Sequence, residues 1–266
     1  MKLNLVPAGT GIVWLKLGMR TFFKQPLAMS GLFFMFMAAM SLLSFVPLVG
    51  TVLALMLLPA ATLGLMAATH EATKGKFPLP SIMLSAFRAG RQRKQGMLAL
   101  GAFYALGFLA IMGISALIDG GQFAKLYLVG GPINEALVMQ ASFQRAMWVT
   151  MALYLPFSLL FWHAPALVHW YGISPLKSLF FSAMACYKNF GALTVFGLAW
   201  FGIFLGGLMV MSLLAAVLGN PNLATAAIFP LALIMASMFF TSLFFTFRDS
   251  FIATSEEEDV LGLPSP

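Results

Sequence analysis

From Asn189 to Phe247 the chain runs 59 residues without an Asp, Glu, Lys or Arg. Three further charge-free runs, Gln25–His70, Gln95–Ile118 and Ala146–Leu176, cover much of the rest. A water-soluble fold cannot hide stretches of this length, because a folded domain keeps a large surface that must stay wettable. Only 9% of the residues are charged, against roughly 25% in an ordinary soluble domain. The runs therefore predict helices that cross a bilayer, whose ~30 Å of hydrocarbon takes about 20 helical residues.

Two of the runs are long enough for two crossings each, and both carry turn chemistry inside them. These are VPLVG at Val46–Gly50 and GNPN at Gly219–Asn222, where proline fixes φ and glycine or asparagine tolerates positive φ. The other two runs hold one crossing each. Six spans are expected, near 27–45, 50–69, 96–118, 147–169, 191–218 and 224–247. The expected fold class is all-α: a polytopic membrane protein with six transmembrane helices in a single membrane domain over 1–253. The tail at 254–266, TSEEEDVLGLPSP, is expected to be disordered.

An even number of spans puts both termini on one side. That side would hold Lys2, Lys16, Arg20, Lys24, Lys74, Lys76, Arg88, Arg91, Arg93, Lys94, Lys177, Lys188 and Arg248, thirteen of the fifteen basic residues. Lys125 and Arg145 fall on the other. Such a bias predicts cytoplasmic termini. It also accounts for the net charge of +7 without invoking nucleic acid. Anionic headgroups are the natural partner of such a surface.

An amphipathic helical pattern precedes each odd-numbered span. Lys16, Arg20 and Lys24 recur every fourth residue opposite Ile12, Leu15, Met19, Phe22 and Phe23. Ser81, Ser85, Arg88, Gln92 and Gln95 form a second polar stripe, opposite Ile82, Met83, Ala86 and Phe87. Leu176, Leu179, Phe180, Ala183, Met184 and Tyr187 form a third apolar one. Each pattern ends on a basic–amide junction, FKQP, RKQG or YKNF. A helix of this kind is expected to lie in the headgroup plane with its apolar face down. The layout reads as three repeats of interfacial helix plus transmembrane hairpin, about 9–70, 79–169 and 174–253. The competing reading is that basic flanks occur in any polytopic protein. Between spans three and four, the connection at 119–145 is long, and INEALVMQASFQR after Pro132 reads as a helix running into span four.

The segments WLKLGMRTFFKQP, FPLPSIMLSAFRAGRQRKQG and SPLKSLFFSAMACYKNFGAL resemble a family of uncharacterised bacterial six-span inner-membrane proteins. The resemblance covers most of the chain and implies a bacterial cytoplasmic membrane. It lends no catalytic residue.

Little in the spans points to reaction chemistry. They lack Asp, Glu, Lys and Arg, which counts against proton-coupled transport and voltage sensing. His163 falls inside span four; His169 and His70 fall at span ends and read as interfacial. His163 and His169 are about 240° apart on a helix and share no face, so no metal site follows. A Ser115–His163 nucleophile pair is excluded by depth, since the two lie about 20 Å apart along the membrane normal. Gly202 and Gly206, Ala60, Gly64 and Ala68, and Ala232 and Ala236 put small residues at four-residue spacing. These are expected to pack helices within the chain, with homodimerisation as the alternative. Pro59, Pro156 and Pro165 are expected to kink spans two and four.

These features together predict a non-enzymatic protein without cofactor or metal, organising lipids or partner proteins at the cytoplasmic face. Lys74, Lys76, Arg88, Arg91, Arg93 and Lys94 are the expected contacts to anionic lipid. The alternative is a transporter or flippase of an apolar or lipid-like substrate, with His163 lining its cavity.

Overall fold

The computed structural model describes residues 1–47, 49–131, 134–219 and 221–252. The acidic tail therefore lies outside the described residues. A short strand β1 (Lys2–Leu3) leads into helix α1 (Thr10–Lys24), then α2 (Pro26–Ser44) and α3 (Gly50–Thr73). A 3-10 turn over Pro80–Leu84 runs into the single-turn α4 (Ser85–Arg88), followed by α5 (Arg91–Asp119). Two short helices, α6 (Gln122–Val129) and α7 (Glu135–Val138), precede α8 (Ala141–Phe161) and α9 (Ala164–Tyr171). The chain closes with α10 (Pro175–Lys188), α11 (Phe190–Val217), α12 (Pro221–Ser250) and β2 (Phe251–Ile252). Six of these stretches are long and apolar enough to cross a membrane: 26–44, 50–73, 91–119, 141–171, 190–217 and 226–250. The protein is an all-α polytopic membrane protein, and its spans fall within a few residues of those read from the charge-free runs.

Three local departures from the sequence reading matter for the site. The second amphipathic stripe is not one helix. Gly90 takes φ +91, a left-handed conformation that glycine adopts freely and other residues do not. The chain turns there, so Ser81, Ser85 and Arg88 stay on the short turns while Gln92 and Gln95 enter α5. Similarly, INEALVMQASFQR is not one helix, because Gln140 is extended (φ −66, ψ 130) between α7 and α8. Finally, one face of α1 is built into the bundle. Its buried side chains, among them Trp14, Leu15 and Phe22, pack against α11 and α12. Cβ atoms at Gly11 and Gly18 would run into the Ala192 carbonyl and Ser242.

Span four breaks at Trp162–His163, between α8 and α9. Pro165 has no N–H to return to the Phe161 carbonyl, so the ladder fails there. The bond from His163 N–H to Leu159 C=O, which would complete the preceding turn, is replaced by a side chain from α10. The His163 amide donates to Ser182 Oγ at 2.9 Å, and the Ser182 hydroxyl donates to Leu159 O at 2.8 Å. The inserted hydroxyl holds the kink open and ties it to α10. Cys186, one turn further along α10, lies 3.7 Å from the same carbonyl.

The small-residue motifs divide. Ala60 and Ala68 are buried, and Gly64 takes the backbone of Met83 against it. Gly202 and Gly206, by contrast, face no protein atom within 4 Å of a Cβ position. That pair does not pack helices within the chain: α11 leans on α1 and α12 through another face, where Phe196 and Trp200 are buried.

Two outcomes follow from the α10 brace. Ser182→Ala leaves the His163 amide without an acceptor, and thermal unfolding in detergent should show a loss of about 1–3 kcal/mol. Cys186 is buried, and burial pushes its thiol pKa up to about 12. A maleimide at pH 8 should therefore leave it unmodified in the folded protein and label it once the protein is denatured.

Candidate functional site

The basic residues converge where the termini-side ends of α3, α4 and α5 meet. Lys74 follows the last residue of α3, and both Lys74 and Lys76 are exposed. Their ammonium groups lie 3.9 and 3.8 Å from the Glu71 carboxylate. At that spacing and exposure the pairs add little stability and place charge more than they hold structure. Arg88 ends α4 and is exposed. Arg91, Arg93 and Lys94 occupy the first turn of α5, which contains no acidic residue. Arg91 and Lys94 are exposed, while Arg93 is half-buried beside Gly172.

A cavity of about 500 Å³ opens at this end of the bundle. Its polar wall is Glu71, Ser81, Ser85, Arg88 and His169, and Phe77, Leu79 and Ile82 supply apolar contact. Ser85 Oγ and His169 Nδ1 are buried and have no hydrogen-bond partner among the described residues. Arg88 is thus the one member of the expected set that lines this cavity. Arg93 lines a smaller one of about 250 Å³ with Gln92, Gln95, Ser174 and Pro175. Across the 3-10 turn lies an apolar cavity of about 360 Å³, walled by Phe36, Met40, Leu57, Met83 and Phe87. The segment 80–88 therefore separates a polar space from an apolar one, which is the division its amphipathic pattern encodes.

The histidines are placed differently from one another. His163 is 1% exposed and packs between Phe247 and Phe251, at ring distances of 6.1 and 5.5 Å. It does not line the cavities described here. His70, in the last turn of α3, is buried against Phe244 and Trp170. His169 alone reaches the polar cavity.

A fourth cavity, about 360 Å³ and open on one side, lies where α3, α5, α8, α9 and α12 converge. Pro59 and Pro165, from spans two and four, both line it, together with Thr62, Tyr104, Tyr154 and Trp162. The phenol oxygens of Tyr104 and Tyr154 are 3.2 Å apart. The Trp162 indole N–H donates to Thr246 Oγ1 at 3.1 Å, which fixes the ring at the cavity wall. The sequence marked this region only through its prolines. Tyr104 and Tyr154 are 50 residues apart, and nothing in their local context pairs them.

Among the described residues no group of three or more His, Cys, Asp or Glu is placed to hold a metal ion. Fold and sites together define a multi-pass helical membrane protein with polar space at its basic end and an aromatic cavity within. No family model matches the chain, and no solved structure matches it. A probable inner membrane protein of Burkholderia thailandensis is 38% identical over 255 residues, which cover 94% of each chain. The chain belongs to the family of that inner-membrane protein.

Proposed function

We propose that this protein is a non-enzymatic lipid-organising protein of the inner membrane, which gathers anionic phospholipid at its cytoplasmic face. The first turn of α5 carries the reading. Helix N-termini bear a partial positive charge and favour anions, yet Arg91, Arg93 and Lys94 sit there with no carboxylate in the turn. Arg88 lines the adjoining cavity, whose one acidic residue, Glu71, lies 3.9 Å from Lys74. A cluster of this kind is stabilised by phosphate groups from outside the chain, each basic residue near the surface adding ~1 kcal/mol of attraction. The same excess of cations at one end orients that end, and both termini, toward the cytoplasm.

The transporter reading finds no support at His163, whose ring is packed. Homodimerisation through the open Gly202–Gly206 face of α11 is compatible with this function and is not required by it.

Changing Lys74, Lys76, Arg88, Arg91, Arg93 and Lys94 to Gln should lower the enrichment of phosphatidylglycerol over phosphatidylcholine around the purified protein at least tenfold. Lipid mass spectrometry of the detergent complex reads this out, and an unchanged ratio refutes the proposal. A phosphatase that is active only in the periplasm, fused after Pro266, should stay inactive; activity there would reverse the orientation.

A further inference from the structure

The cavity inside the bundle has a chemistry that the basic end does not share. Tyr104 is 13 residues from the start of α5 and 15 from its end, so it lies about 20 Å along the helix from either end. Solutes that reach this depth must dissolve in hydrocarbon. The walls are rings: Phe161, Trp162, Phe239 and Phe240, with Trp162 meeting Phe239 edge-on at 6.0 Å. No acidic or basic side chain lines it, so a charged headgroup would stand there unpaired at high cost.

The polar groups give the cavity a bias. Two phenols bonded to each other share one hydrogen between them, which leaves the second O–H to donate elsewhere. A plain acyl chain would leave that donor unsatisfied, whereas a carbonyl acceptor on a ring would satisfy it. Pro165 also denies the carbonyl of Phe161, a lining residue, its helical N–H donor. At about 360 Å³ the space falls in the lower range of small-molecule sites, of roughly 300–1,000 Å³. It accommodates one ring and the beginning of a chain.

We propose that the cavity bounded by Pro59, Tyr104, Tyr154, Trp162 and Pro165 binds a neutral, ring-headed lipid with carbonyl acceptors, of the isoprenoid-quinone class. The Tyr104–Tyr154 pair donates to a ring carbonyl, and the aromatic walls hold the ring plane. The inference rests on the cavity alone and stands apart from the lipid contacts at the basic end.

The test uses the full chain in phosphatidylcholine nanodiscs, titrated with decylubiquinone while tryptophan emission is recorded. Wild type should show saturable quenching, most of it absent in Trp162→Phe. Tyr104→Phe or Tyr154→Phe alone should shift half-saturation less than about threefold, because the remaining phenol still donates. The double variant Tyr104→Phe/Tyr154→Phe should shift it roughly tenfold, the effect of losing one hydrogen bond at the upper end of its usual worth. Decylbenzene, with the same tail and a ring lacking carbonyls, should compete at least tenfold more weakly on wild type. Quenching that never saturates, an unshifted double variant, or equal competition by decylbenzene overturns the proposal. Should the double variant fail to fold, the decylbenzene competition on wild type decides it.

Discussion

Hydrocarbon offers no partner to a peptide group, so every interruption of a helix inside the bilayer must be repaired by the protein itself. This chain interrupts span four at Trp162–His163 and repairs it from the preamble of the third hairpin, through the Ser182 hydroxyl. The repair fixes more than one turn. It locks α9 at an angle to α8 and so opens the space into which Tyr154, Trp162 and Pro165 face. It also docks α10 against the bundle, burying Cys186. A single inserted hydroxyl thereby links α10, the kink and the aromatic cavity.

The parts of this architecture that depend on solvent were legible in the sequence. Lack of charge over 59 residues has one physical outcome, and the turns at Pro47 and Gly219 divide the long runs where the structure divides them. What depended on contact was not legible. Pro165 announced a kink, but its partner Ser182 had no distinguishing local pattern. Gly202 and Gly206 carried a packing motif, yet spacing cannot tell a face that meets another helix from one left open. His163 drew attention as the ionisable residue of a span, although its neighbours Trp162 and Pro165 line the cavity. The ring of His163 turns instead toward Phe247 and Phe251. The arginines and lysines were visible as charge, but no local pattern told that Arg88 alone of them shares a cavity with Ser85 and with His169 of span four.

The basic end sets two tendencies against each other. Cations in the opening turn of α5 disfavour that helix end, while cations flanking a span favour keeping that end cytoplasmic. Under the proposed function, anionic headgroups would relieve the first tension without weakening the second, the membrane supplying the counter-charge that the turn itself lacks.

Residues 2–4 and 249–252 meet in a clasp. Lys2 pairs with Ile252 and Leu3 with Phe251, the Asn4 amide donates to Ser250 O, and Asn189 Nδ2 donates to the Asn4 carbonyl. During synthesis the first of these segments leaves the ribosome some 245 residues before its partner does. The amino-terminal strand therefore has no partner until the end of α12 is made, so the contacts that hold the start of the chain are the last of the described ones to become available.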